Sequence, residues 1–382
     1  MDVLRTPVGR ADKGSLVDFR PDDLAAFVLR ALLNRYSEVP EDSIDDVICG
    51  CAFPWGEQGY NVGRSIAILA GLPHTIPAQT VTRLCGSSLQ ALRSAAHAIT
   101  VGEGETFAVV GVESVTRVGR GHHLATPNPL LDPAAPGETI GAVFMPMGET
   151  AENVADRWGV SRQAMDQFAQ RSQERAVAAR ESGFVSRELV AVPLPQGGTL
   201  EYDESPRAGS SLEKLATLEP VFRADGRVTA GNSCPLNDGA AAALVLSEAT
   251  AEKWGLTPRA RVLSSAVSAV DPALMGVGPI TAIRAALDQA GLSIDDIDVF
   301  ELNEAFAAQV IPVCEEVGID AFDDRVNPHG GGIAIGHPFG MTGLRIMSTL
   351  LNGLDACQGR FGIESMCVGG GQGQAMVVER LA

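Results

Sequence analysis

The chain has 382 residues, 45% of them hydrophobic, with 42 glycines, only 5% aromatic residues and a formal net charge of −18. Such a chain buries a sizeable core, in two domains or in one large domain with an insertion, and its glycine content indicates an α/β protein with many tight turns. The acidic balance excludes a protein that tracks nucleic-acid phosphates, and no apolar run reaches the length of a membrane span.

The opening stretch "MDVLRTPVGRADKGSLVDFR" lacks the basic-then-apolar order of a secretory signal. Two later stretches echo each other: "LRALLNRYSEVPEDSIDDVICG" from Leu29 and "IRAALDQAGLSIDDIDVFE" from Ile283. Each reads as an amphipathic helix, a loop holding Ser-Ile-Asp-Asp and a β-branched strand. Ser43, Ile44 and Asp45 match Ser293, Ile294 and Asp295 at an offset of 250, which indicates a duplicated α/β half.

After the first of these stretches, "TIPAQTVTRL" predicts a strand that ends just before Cys85. Leu89, Leu92, Ala96 and Ile99 then recur as on a buried helix face. A thiol at such a strand-to-helix turn meets unpaired N–H groups and the positive end of the helix dipole, and both favour the thiolate. A small buried turn residue fits the same segment equally well.

From about residue 115 to 236 the texture is rich in Pro and Gly, with one helix expected near 150–182. It reads as an irregular inserted lobe of the kind that covers a ligand. In "FELNEAFAAQV", Asn303 and Glu304 fall at a strand–helix junction, where Asn303 also suits an N-cap. "HGGGIAIGHPFGMTG" packs six glycines into fifteen residues, and Pro338 holds His337 out of helical geometry just ahead of a helix. That framing suits an acid–base histidine as well as a structural one. "ESMCVGGGQGQAMVVE" puts Cys367 at a strand end before Gly369, Gly370, Gly371 and Gly373, where a backbone N–H can approach a ligand oxygen closely. The other five of the seven cysteines, Cys49, Cys51, Cys234, Cys314 and Cys357, have neither disulfide-framework nor metal-ligand spacing, so reduced thiols in the cytoplasm and no bound metal are expected.

"CGSSLQAL", "NEAFA", "GHPFGMTG" and the final "CVGGGQG" occur in the order and approximate spacing of the thiolases, which this chain resembles along nearly its whole length. "RTPVGR", "MGETAENVADRWGVSR" and "TAGNSCPLNDGAAAALVLSE" extend the match. The resemblance implies an α/β thiolase fold: two duplicated βαβαβ-type halves in a five-layered α-β-α-β-α sandwich. The N-terminal half would comprise 1–114 and 237–257, the inserted loop domain 115–236, and the C-terminal half 258–382.

The resemblance also implies the chemistry. Cys85 looks like the acyl-accepting nucleophile, His337 like its base, and Cys367 like the acid–base at the acetyl α-carbon. Asn303 resembles the residue that positions a water which forms one oxyanion hole with His337 Nε2. The backbone N–H groups of Cys85 and Gly369 resemble the other hole. The sulfur and the imidazole are expected to titrate near neutrality once their environment shifts them. No covalently bound cofactor is implied; coenzyme A and acyl-CoA are substrates, with Arg207, Leu215, Phe222, Ala230, Cys234, Met147 and Phe306 at the CoA positions. Arg207 also fits a solvated loop charge.

The implied reaction is thiolysis of a 3-ketoacyl-CoA, or Claisen condensation in reverse. Three departures stand out. Pro146-Met147-Gly148 replaces the His-Met-Gly of short-chain biosynthetic types and looks more like the fatty-acid-oxidation thiolases. Cys234 stands where the family usually has a CoA-contacting serine, and only "MDVL" precedes "RTPVGR" where the family normally has a full strand. An acetoacetyl-CoA-forming thiolase is the alternative. A decarboxylating relative of the ketosynthases is disfavoured by Cys367, and a non-catalytic lipid-binding relative by the intact "NEAF". Relatives form homodimers or homotetramers, some within a β-oxidation multienzyme complex.

Overall fold

The computed structural model describes residues 1–119, 128–132, 134 and 140–381, so parts of the Pro/Gly-rich stretch after residue 119 lie outside the described residues. In the first half, β1 (Asp2–Arg5) and the short β2 (Gly9–Arg10) lead to α1 (Pro21–Arg35). There follow β3 (Asp46–Cys51), α2 (Val62–Leu69), β4 (Ala78–Val81), α3 (Ser87–Val101) and β5 (Thr106–Ser114). α1 starts earlier than its echo suggested, because Pro21 opens it and Asp22 and Asp23 fill its first turn, where the helix dipole favours acids.

The chain then leaves the sheet through α4 (Val115–Val118), α5 (Met147–Trp158), α6 (Arg162–Glu181), the ribbon β6 (Val192–Pro193) with β7 (Thr199–Leu200), and α7 (Leu212–Ala216). The single helix expected near 150–182 is two. Gly159 adopts φ 68° and ends α5, and the Ser161 side chain accepts from the Ala164 N–H to start α6. Arg5, fully buried, fastens this lobe to β1: its guanidinium donates to Glu188 Oε1 (2.7 Å) and to Asp203 Oδ1 (2.7 Å).

β8 (Asn237–Leu246) returns to the first sheet, followed by α8 (Glu248–Lys253). The second half comprises β9 (Ala260–Ala269), α9 (Gly278–Ala290), β10 (Val299–Leu302), α10 (Ala307–Val317), α11 (Gly332–Ile335), α12 (Thr342–Cys357), β11 (Phe361–Val368) and β12 (Gln372–Arg380). The first sheet runs β4-β3-β5-β8-β1, with β2 beside β8; the second runs β10-β11-β12-β9. Directions match strand for strand: β3 and β5 are parallel like β10 and β11, and the later neighbours are antiparallel in both sheets. A parallel bridge between Phe300 and Val326 stands where the first sheet has β4. The duplication read from the sequence is therefore present as topology.

Side chains alternate across each sheet, so each strand serves two cores. On β8, Ala240, Ala242 and Leu244 join α1 and α2 on the outer side, while Ala241, Ala243 and Val245 face the layer between the sheets. On β12, Met376 and Val378 face that same central layer, and Ala375 and Val377 the outer side with α9 and α10. α3 and α12 form the central layer, giving the expected five-layered α-β-α-β-α sandwich. Gly343 lets them meet: a Cβ there would lie 2.5 Å from the Leu89 nitrogen. Because α12 covers part of α3, Ala91 and Ala95 are buried with Leu89 and Leu92, while Ala96 and Ile99 of the expected face are only half-buried.

Candidate active site

Cys85 does not begin α3 but sits one turn ahead, in a 3₁₀ turn over Leu84–Gly86. Leu84 there adopts φ 43°. Ser87 closes the turn, accepting from the Arg83 N–H (3.0 Å) and donating to the Leu84 carbonyl (2.6 Å). The residue keeps some exposure, yet burial of its sulfur pushes the thiol up to about 12, opposed by the N–H groups of Gly369 and of Cys85 itself. The sequence expectation of a thiolate favoured by the helix start is thereby corrected. Desolvation outweighs the N–H donors, and the resting group is a thiol.

His337 is held by its backbone and by both ring nitrogens. Gly336, at φ 118°, turns the chain so that the His337 N–H reaches Asn237 Oδ1 (3.0 Å). Thr342 Oγ1 donates to the Pro338 carbonyl (2.7 Å) and lies 2.6 Å from His337 Nδ1. With the hydroxyl proton so committed, Nδ1 must carry the ring proton and Nε2 the lone pair. Burial, aided by the Arg345 charge, pushes the imidazole down to about 3. Titration near neutrality, expected for both groups, is thus overturned in opposite directions: thiol and imidazole rest neutral.

Nε2 lies 3.3 Å from Asn303 Nδ2. Asn303 follows the last residue of β10, and α10 begins only at Ala307 with Phe306 in the cap position, so the N-cap reading of Asn303 falls. Its N–H donates to the Ser365 carbonyl (2.9 Å), two residues before Cys367, and its buried Oδ1 has no partner among the described residues. Cys367 is fully buried on β11, and its thiol is raised well above the ordinary value by burial and by the nearby Cys85 and Cys234. Ser88 Oγ accepts from the Leu344 N–H (3.1 Å) and so ties α3, which follows the Cys85 turn, to α12, which follows the His337 loop. Cys85, Asn303, His337, Cys367 and Gly369 thus belong to one connected site.

Two supporting residues, Glu113 and Asn237, escaped the sequence reading, and Glu304, read there only as lying at a strand–helix junction, is a third support. Glu113, buried on β5, accepts from Gln58 Nε2 (2.6 Å) and from the N–H groups of Gly340 (2.9 Å) and Ala52 (3.0 Å), and burial raises its carboxyl to about 7. It ties the histidine loop to the first sheet; the available signal was a lone acid in the apolar run "TFAVVGVES". Glu304 holds the glycine loop, accepting from Ser172 (2.5 Å), Asn327 (2.7 Å) and the Ile333 N–H (3.1 Å). Asn237 acts through the bond to His337 described above.

The residues assigned to CoA fall into two groups. Arg207, Leu215 and Ala230 line a cleft of about 250 Å³. Met147, Phe222, Phe306 and Cys234 form a second group, of which Cys234 lies near Cys85 and Cys367. The rings of Phe222 and Phe306 meet edge to face at 6.2 Å, Phe222 packs on Gly148 beside Met147, and the Cys234 N–H donates to Ala305 (3.0 Å). Burial and the nearby Cys85 raise the Cys234 thiol to about 12. A separate cavity of about 520 Å³ beside Met1 and Ala260 holds none of these residues. Among the described residues, no group of three or more His, Cys, Asp or Glu could hold a metal ion, and no helix is long and apolar enough to cross a membrane.

Residues 1–249 match the family model "Thiolase, N-terminal domain", and residues 256–380 match "Thiolase, C-terminal domain". A 3-ketoacyl-CoA thiolase from Saccharophagus degradans is 45% identical over all of this chain and 97% of its own. One from Klebsiella pneumoniae subsp. pneumoniae is 44% identical over all of this chain and 98% of its own. Among solved structures, the Bacillus anthracis acetyl-CoA acetyltransferase has a TM-score of 0.90 at 37% identity, covering all of this chain and 98% of that one. Human mitochondrial 3-ketoacyl-CoA thiolase has a TM-score of 0.90 at 36% identity with the same coverage.

Proposed function

The chain belongs to the thiolase family, and we propose that it cleaves 3-ketoacyl-CoA with free CoA, through an acyl-Cys85 intermediate, to acetyl-CoA and a shortened acyl-CoA. The observation that carries this reading is the convergence of two backbone N–H groups, those of Cys85 and Gly369, on the Cys85 sulfur. An acyl group on that sulfur places its oxygen beside the same two donors, the arrangement that stabilises a tetrahedral oxyanion.

His337 Nε2, bare of a proton, takes the Cys85 thiol proton as the sulfur adds to the 3-keto carbon. The C2–C3 bond breaks, and the acetyl-CoA enolate oxygen is held by protonated His337 and by a water on the unpartnered Asn303 Oδ1. Cys367 gives its proton to C2. A second CoA thiol passes its proton to the Cys367 thiolate and attacks the acyl group, and the departing Cys85 sulfur recovers its proton from His337. Because thiol and imidazole both rest neutral, ion-pair formation is confined to the occupied site, where the developing oxyanion offsets its cost.

CoA in this reading runs from Arg207, Leu215 and Ala230 towards Cys234, Met147, Phe222 and Phe306. Fatty-acid oxidation is the setting favoured by Pro146-Met147-Gly148, with the cytoplasm as location. The likeness to an acetyl-CoA acetyltransferase supports the alternative, condensation to acetoacetyl-CoA. A homodimer or homotetramer completes the proposal, supported by β4, which among the described residues pairs with β3 alone. A chain-length series of 3-ketoacyl-CoA substrates, assayed in both directions, tests the function. Acetyl-CoA release that requires free CoA supports it, and no turnover from four carbons upward contradicts it.

A further inference from the structure

The cleft lined by Arg207 is also lined by Arg10, the last residue of β2, and by Lys13, in the loop between β2 and α1. None of the three side chains has a hydrogen bond or ion pair to another described residue. Asp12, the one carboxylate among the residues lining the cleft, leaves three positive charges against one negative in a chain whose net charge is −18. Such a local excess is what a phosphorylated ligand needs to approach a protein of the same sign.

The grouping is built into the fold. Glu204, three residues before Arg207, accepts from the Arg10 N–H (2.9 Å), the Ser15 N–H (2.9 Å) and the Ser15 hydroxyl (2.6 Å). The Arg207 N–H is in turn held by Gln173 Oε1 (2.8 Å). Backbone anchors therefore fix the two segments side by side, and all three cationic residues line the one cleft.

Resting on the CoA reading above, we infer that Arg10 and Lys13 bind the phosphate groups at the nucleotide end of CoA, opposite Arg207. These residues set affinity for the phosphorylated acceptor and take no part in the chemical steps.

The test compares wild type with Lys13→Gln and Arg10→Gln, using CoA and pantetheine as acyl acceptors. Each variant is expected to raise KM for CoA about three- to tenfold at low ionic strength with kcat unchanged, and to leave KM for pantetheine, which lacks every phosphate, unaltered. With 3′-dephospho-CoA, loss of the difference assigns the contact to the 3′-phosphate, and its persistence assigns it to the diphosphate; both support the inference. Unchanged KM for CoA, or equal rises for CoA and pantetheine, overturns it. Calorimetric CoA binding keeps the two readings apart: wild type that binds CoA but performs no thiolysis refutes the reaction and leaves the phosphate site to be judged by the variants' affinities.

Discussion

His337 Nδ1 and Thr342 Oγ1 lie 2.6 Å apart, and the Thr342 proton is already directed to the Pro338 carbonyl. The threonine therefore acts as an acceptor towards the ring and fixes the lone pair on Nε2, the nitrogen beside Asn303. Thr342→Val removes the acceptor and frees the tautomer, so kcat is expected to fall about 10- to 100-fold with little change in KM. Thr342→Ser should restore most of the rate. A loss in Thr342→Ser with none in Thr342→Val would show that the methyl group, not the hydroxyl, matters.

The pH response follows from the resting protonation states. His337 is pushed from an ordinary 6.5 down to about 3, so its contribution to stability is present above 6.5 and lost as pH falls towards 3. Cys85 is raised from 9.0 to about 12, so its contribution is present below 9 and lost as pH rises towards 12. Iodoacetamide labelling of Cys85 in the free enzyme, followed on its own peptide, should accelerate about tenfold per pH unit from about pH 7 to 10. A plateau near pH 7 would mean that a thiolate–imidazolium pair already exists at rest.

Arg5 is the buried link between β1 and the inserted lobe, pairing with both Glu188 and Asp203. Arg5→Ala strands two carboxylates away from water and should cost about 3–5 kcal/mol in chemical denaturation. A loss under about 1 kcal/mol would show that water or a rearrangement satisfies them.

Cys367 serves C2 and not the acyl transfer, so the two half-reactions should separate. Cys367→Ala is expected to keep acylation of Cys85 by a simple acyl-CoA and to lose exchange of the acetyl-CoA α-protons with deuterated water. Retention of that exchange at the wild-type rate would remove Cys367 from the role.

Much of this was legible in the chain. The echo around Ser43 and Ser293 disclosed two alike halves, and Cys85, Asn303, His337 and Cys367 stood out by the glycines and motifs around them. The break between α5 and α6 was missed because helical periodicity continues through Gly159, whose left-handed φ is a property of the folded turn. Glu113 and Asn237 were missed because their partners, Gly340 and His337, lie 227 and 100 residues away. The protonation states were misjudged for a related reason. A helix start is local and visible in sequence, whereas desolvation sums over every layer packed around the sulfur and the ring.

The central claim is that Cys85 carries the acyl group, and intact-mass measurement of the enzyme after mixing with a 3-ketoacyl-CoA without free CoA tests it most directly. The expected result is a mass increase equal to the shortened acyl group, localised to Cys85, discharged on adding CoA and absent from Cys85→Ala. Turnover with no acylated species, or an adduct on Cys234 or Cys367 that persists in Cys85→Ala, would contradict it.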